Sequence, residues 1–392
     1  MLDENADRAL APAIAGPLED PFKYWFNSDL LIADEDRAFF ARQYAKFEPI
    51  FEWPRLRAQF AKYNDAAAAG RNHSRRSGVF AIATGFLSLS VAATVPLVDE
   101  LNRGNPSSQL RMQAMLGALA AFLAILSVAI GYTQVLKGEL KIKWLANRFW
   151  SERIRQFHFQ LIINHLPQVV AALTDSAAMQ AWLEFREREL DRFDHDYLRG
   201  VEDKIRHLEI DEAEDEPWLS NDWKIAGPVP PKSAAFDELL QVLEQQRFGI
   251  QERYTERRLA SGWHSPESRA QWVLKLSDTL TAVLLLATIT VGIGSVIAFV
   301  GGENPMFRLI AGLVAAISST SIVAMRALKE GLMFSADAER YRWYLAAVRS
   351  LHLRYEHADV NEKVRLLREL EHLSYQEMRR FMLSGYEARF IM

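Results

Sequence analysis

The sequence predicts an all-α membrane protein, with four transmembrane helices laid out as two duplicated helical hairpins that carry long cytoplasmic helical extensions. Three observations lead there. Four apolar runs contain no Asp, Glu, Lys or Arg, a residue pattern recurs at a constant offset (Arg148 to Arg342), and Lys and Arg are distributed unevenly around the runs. The 392-residue chain has a net charge of −4 and no cysteine. Disulfides, thiolate nucleophiles and Cys-based metal sites are therefore excluded. No broad basic stripe favours nucleic acid. The acidic start, "MLDENADRALAPAIAGPLED", lacks a basic segment followed by an apolar one, which predicts no cleaved signal peptide.

The runs are Val79–Val98, Met112–Leu136, Thr279–Val300 and Leu309–Met325. A helix of about 20 residues crosses the roughly 30 Å hydrocarbon core, and lipid admits only helices or closed barrels because every backbone amide must be bonded internally. One such run could be a buried helix of a large soluble protein; four uncharged runs in two tight pairs argue against that. The Gly-, Asn- and Pro-containing stretches "DELNRGNPSSQLR" (99–111) and "GGENPMFR" (301–308) read as hairpin turns. These loops hold Arg103, Arg111 and Arg308. The other side holds Arg71, Arg75, Arg76, Lys137, Lys141, Lys143, Arg148, Arg269, Lys275, Arg326 and Lys329. The positive-inside rule then places both hairpin loops outside and both termini in the cytoplasm.

The repeat is densest in "RFWSERIRQFHF" (148–159) and "RWYLAAVRSLHL" (342–353). It pairs Arg148 with Arg342, Phe149 with Trp343, Trp150 with Tyr344, Arg155 with Arg349, Phe157 with Leu351 and His158 with His352. The same offset pairs Ser74-Arg75 with Ser268-Arg269, Met112 with Met306 and Ser127 with Ser321. Two spans per half make the repeats parallel rather than inverted. No proline falls between Gln113 and Leu166 or between Met306 and Glu356. Each second span is expected to continue unbroken beyond the membrane, the first for on the order of 80 Å at 1.5 Å per residue. Further helices are expected over Asp34–Asp65, Ser176–Ile210, Ser233–Ala260 with Ser233 as N-cap, and Asn361–Ser384. The resulting division is an N-terminal cytoplasmic helical region (1–70), a first two-span repeat (71–210), an acidic, Pro-rich linker (211–232) and a second repeat (233–392).

No P-loop, strand-based GxGxxG or HExxH pattern is present, so no catalytic residue, metal or cofactor is expected. His158 and His352 suit hydrogen-bonded packing roles, with a ligand-sensing or metal role as the alternative. Arg148, Arg155, Arg342 and Arg349, with the aromatics Trp150 and Trp343, suit interhelix ion pairing, or else an anionic nucleotide held by stacking. In span four, Ser318, Ser319, Thr320 and Ser321 cover nearly every face of one turn and could pack helices or line a wet pore. Gly117/Ala121 and Gly312/Ala316 have spacings that permit close helix approach. The lack of ionisable residues within the spans argues against a proton-coupled transporter or voltage sensor.

A two-span hairpin whose second helix continues into a basic-aromatic stretch, followed by an amphipathic helix, resembles the SLATT family of two-transmembrane effector domains associated with SMODS and SLOG proteins. The resemblance rests on Arg75–Leu173 with "RFWSERIRQFHF" and on Arg269–Met382 with "RWYLAAVRSLHLRYE" and "EKVRLLRELEHL". Members typically carry one hairpin; here there are two. The resemblance implies a bacterial inner-membrane effector of an antiviral conflict system. It would oligomerise to form a pore or disrupt the bilayer after a nucleotide-type signal or a cytoplasmic sensor protein acts. The alternative is a non-conducting membrane scaffold that docks a cytoplasmic partner. In the effector reading, rearranged stalk helices rotate spans two and four and expose the span-four hydroxyls to water.

Overall fold

The computed structural model describes residues 28–132, 139–196, 229–260, 265–301 and 305–387, and among these there is no strand. The chain is an all-α membrane protein, and four of its helices are long and apolar enough to cross a bilayer. By packing it falls into two units, and neither coincides with one repeat. A core unit takes Met1–Gly70, Ile142–Ala260 and Ala338–Tyr386; a span unit takes Arg71–Lys141, Ser261–Asp337 and Glu387–Met392. Each unit thus draws on both halves of the duplication. The expected linker lies outside the described residues except for its last four positions, and so do positions 197–210 of the helix expected from Ser176.

In the core unit, Asp34–Asp65 is not the single helix its spacing suggested. It comprises α1 (Asp34–Gln43), a one-turn α2 (Glu48–Phe51) and the start of α3 (Pro54–Leu101). Tyr44 leaves the helical region at φ −133°, and its N–H closes α1 on the Phe40 carbonyl at 2.7 Å. Pro49 and Pro54 then each sit in a first turn, where a missing N–H costs nothing. Helix α3 begins far upstream of the predicted span. Its inner part carries Leu56, Phe60, Tyr63, Ala67 and Gly70 at alternating spacings of four and three, the stripe that lays one helix along another.

That stripe meets α5 (Glu139–Asn164), which holds the first Arg-aromatic block. Tyr63 and Trp150 have ring centroids 5.0 Å apart. At Gly70 an added Cβ would lie 2.9 Å from Trp144 Cβ, so glycine here permits the close approach. Helix α5 ends at Asn164, and α6 (Leu166–Ala172) follows with Pro167 in its first turn. This is the stop the sequence predicted. Next come α7 (Ser176–Asp196), α8 (Ala234–Glu244), a π-helical turn at Gln245–Gly249 and α9 (Ile250–Leu259). Ser233 is the N-cap of α8, its hydroxyl accepting the Phe236 N–H at 3.2 Å. One contiguous hydrophobic cluster joins Phe51, Phe157, Phe193, Phe236, Val348 and Leu367 from these helices and from α12 and α13, defined below.

In the span unit, α3 turns at Asn102–Asn105 into α4 (Pro106–Ile130). Asn105 caps α4 through the Ser108 N–H, and Pro106 occupies the first turn. Two serines tie this hairpin together. Ser88 Oγ donates to the Ala120 carbonyl and Ser127 Oγ donates to the Ala81 carbonyl, each at 2.7 Å. Helices α10 (Pro266–Gly301) and α11 (Pro305–Leu332) pair as the second hairpin. The hairpins meet where Ile82 of α3 packs on Ala324 and Ala327 of α11, flanked by Phe86, Leu328 and Leu332. An added Cβ would meet nothing within 4 Å at either Gly117 or Gly312. Among the described residues, neither small-residue spacing is therefore used for close approach.

The second-half helix does not run unbroken past span four. It is interrupted at Met333, whose φ is +56°, and resumes as α12 (Phe334–His357) before α13 (Val360–Glu387). Met333 closes α11 by donating its N–H to the Glu330 carbonyl (3.2 Å), and its own carbonyl accepts the Asp337 N–H that starts α12 (2.9 Å). Absence of proline was thus insufficient evidence for continuity. A left-handed residue breaks a helix at about 1–2 kcal/mol, and the buried Met333 side chain offsets that cost. The matching stretch of the first half, 133–138, lies outside the described residues.

Candidate functional site

The two copies of the Arg-aromatic block lie on α5 and α12, and both face the hydrophobic interior of the core unit with their aromatics. Phe157 stacks on Phe193 with centroids 4.4 Å apart. Trp343 is half-buried beneath the Arg380 guanidinium, which lies 3.7 Å from its ring centroid. Tyr344, the counterpart of Trp150, is buried; its hydroxyl lies 2.9 Å from Ser374 Oγ and 3.3 Å from Gln251 Oε1. Burial pushes that phenol well above its ordinary range.

Arg148, Arg155 and Arg349 contact acidic side chains, Arg148 within its own helix and Arg155 and Arg349 on other elements. Arg148 contacts Glu152 one turn along at 2.7 Å and reaches Asn64 at 3.5 Å. Arg155 lies 3.4 Å from Asp29 and 3.2 Å from Glu152. Arg349 pairs with Glu256 near the surface, whereas Arg342 is exposed.

Sequence reasoning missed the centre of this network. Arg247, on the π turn, is fully buried between Glu371 (2.5 Å) and Asp29 (3.4 Å). Burial alone would lower its pKa, but the two carboxylates outweigh that and hold it charged. Removing one member of such a buried set costs about 3–5 kcal/mol, because the others are left uncompensated. Partners 124 and 218 residues apart leave no local spacing to read.

The duplicated histidines have diverged completely. His158 is 1% exposed and sits among the rings of Phe51, Trp53 and Phe159. Neither ring nitrogen has a hydrogen-bond partner among the described residues, so the expected hydrogen-bonded packing role is corrected to packing alone. Desolvation, reinforced by the positive charges of Arg186 and Arg247, pushes it down to about 3. His352 is half-buried between two carboxylates, with Nε2 3.2 Å from Glu244 and Nδ1 2.6 Å from Glu252. Hydrogen bonds to Glu244 and then Glu252 push it up to about 9. Phe248 stacks on its ring at 5.0 Å and 11°. One histidine is thus locked neutral and its duplicate is held charged.

The span-four hydroxyls are spread around α11. Ser318 is buried, Ser319 is exposed, and Thr320 and Ser321 lie between. Thr320 donates to the Ala316 carbonyl at 2.8 Å and Ser321 to the Ile317 carbonyl at 2.7 Å, so both donors serve their own helix. Such local bonding suits a lipid-facing or water-facing position equally. Ser321 has also departed from its duplicate, since Ser127 bonds across to α3. Comparison with protein-family profiles, curated proteins and solved structures finds no match to this chain.

Proposed function

We propose that this protein is a bacterial inner-membrane effector whose copies associate through their spans and permeabilise or disrupt the bilayer on receipt of a cytoplasmic signal. The observation that carries this reading is the low self-burial of spans two and three. The apolar window of α4 is 6% buried and that of α10 is 11% buried, against 28% for α3. Two of the four helices leave these windows largely open, and lipid or further copies cover them. The unused small-residue spacings around Gly117 and Gly312 are available for such contacts. The core unit would receive the signal, from a nucleotide or a sensor protein, on the inner side with both termini.

The test is ion efflux from liposomes that contain the purified protein, together with growth and membrane potential on overexpression. Efflux that falls in Ser318→Leu and Ser321→Leu variants supports a path beside α11; no efflux under any trigger overturns the reading. The orientation is testable because the chain has no cysteine. A single cysteine replacing Ser107 should react with an impermeant maleimide from outside, and one replacing Glu184 should not. A second reading, a non-conducting scaffold, is equally compatible with the local use of the Thr320 and Ser321 hydroxyls. It predicts harmless overexpression with no depolarisation.

A further inference from the structure

We propose that Glu244, His352 and Glu356 form a binding site for a divalent transition-metal cation of the zinc type. A carboxylate oxygen from each glutamate and a ring nitrogen of His352 all lie within 4.8 Å of one another. His352 Nε2 and Glu244 Oε1 are 3.2 Å apart. Two ligands about 2.0–2.1 Å from zinc in a tetrahedral shell are about 3.3 Å apart, so this pair already has the required separation. Glu356 follows His352 by four residues on α12 and therefore shares its face. It is exposed, so its flexible side chain is free to close the remaining distance. An imidazole with two carboxylates is a borderline N/O donor set suited to zinc and its neighbours, and a fourth position remains for water.

Two features outside the triad orient it. Glu252 accepts from Nδ1 at 2.6 Å, so that when a metal displaces the Nε2 proton the Nδ1–H stays in place and Nε2 is the ligand. This is the carboxylate support common behind metal-bound histidines. Phe248 stacks flat on the ring and sets its plane. The π turn explains how one chain segment presents Glu244, Phe248 and Glu252 to the His352 ring. Glu244 and Glu252 are eight residues apart, which in a regular α-helix separates them by about 80° around the axis. The extra residue in a π turn makes them equivalent to a pair seven apart, within about 20° of the same face. Nearby cations have other partners: Arg349 pairs with Glu256, and Arg354 with Glu369 and Glu362. The carboxylates around His352 therefore leave a local excess of negative charge.

The experiment uses the full-length protein in detergent, stripped of metal and titrated with Zn2+ against a chromophoric chelator. A parallel Co2+ titration is followed by visible absorption. The expected result is one Zn2+ per chain and a low-symmetry Co2+ spectrum. Glu356→Gln should weaken Zn2+ binding at least tenfold without lowering the metal-free melting temperature, because Glu356 lies outside the His352 ion pairs. Glu252→Gln should weaken it about tenfold through loss of support. Failure to bind stoichiometric Zn2+, or binding unchanged in both Glu356→Gln and His352→Gln, would overturn the proposal and leave His352 as an ion-paired structural residue.

Discussion

The core unit and the span unit apply opposite rules to the same residue types. In the core unit large apolar side chains point inward and charges follow them as pairs, with Arg247, Asp29 and Glu371 all at most 2% exposed. In the span unit large apolar side chains point outward: among the described residues, all the exposed large hydrophobic side chains but Leu353 lie in segments 71–141 or 261–337. Soluble surfaces rarely display contiguous apolar patches of this extent, whereas helices in lipid must. The difference teaches that one backbone class, the α-helix, serves both units, and that the surrounding solvent decides which side chains are interior.

The largest test of this contrast truncates one phenylalanine in each unit. Phe157→Ala, in the core and stacked on Phe193, should lose about 3–5 kcal/mol. Phe122→Ala, 62% exposed on α4, should change stability by about 0.5 kcal/mol or less. Unfolding of both variants in detergent measures this, and equal losses would break the comparison. A charge probes the same contrast from the other side. Ile125→Arg, on the outward face of α4, should oppose membrane insertion by about 2.5–3.5 kcal/mol. Leu353→Arg, also exposed but in the core unit, should leave insertion unaffected. A glycosylation-reporter insertion assay distinguishes the two.

Next in size is the pH response of the buried histidine. Unfolded chains protonate histidine near pH 6.5, whereas His158 resists until about 3. The unfolded state therefore takes up the extra proton, and stability falls as pH drops below 6.5. At pH 5 the loss from this group is about 2 kcal/mol, from 1.36 kcal/mol per pH unit. His158→Leu should remove that part of the pH slope, which acid titration of both proteins would reveal. The smallest effect sets duplicate against duplicate within the span unit. Ser127→Ala loses a bond between helices and should cost about 0.6 kcal/mol. Ser321→Ala loses only a bond to its own helix and should cost less, as thermal melts of the two variants would show.

Much of the architecture was legible because lipid spans announce themselves by composition and duplication announces itself by offset. The turn at Asn102–Asn105, the Ser233 cap and the stop before Pro167 were readable from local chemistry. Less visible was whatever depended on pairing at a distance. The Arg247 network, the close approach at Gly70 and the carboxylates around His352 join helices separated by tens to hundreds of residues. Met333 was missed for a different reason: nothing about methionine signals a left-handed conformation, and only its buried setting holds it there. The duplication itself also misled, because matching letters at 158 and 352 suggested matching roles that their surroundings do not support.

The threonines of α10 have a consequence for biogenesis. Thr279, Thr281, Thr288 and Thr290 each donate to a carbonyl four residues back on the same helix. With these four hydroxyls bonded to their own helix, this part of the segment needs no neighbour for them when it leaves the translocon for the bilayer. The first hairpin cannot do so as completely, because Ser88 and Ser127 find their acceptors only on each other's helix. During translation the earlier hairpin would therefore mature as a pair, whereas α10 is less dependent on its neighbour.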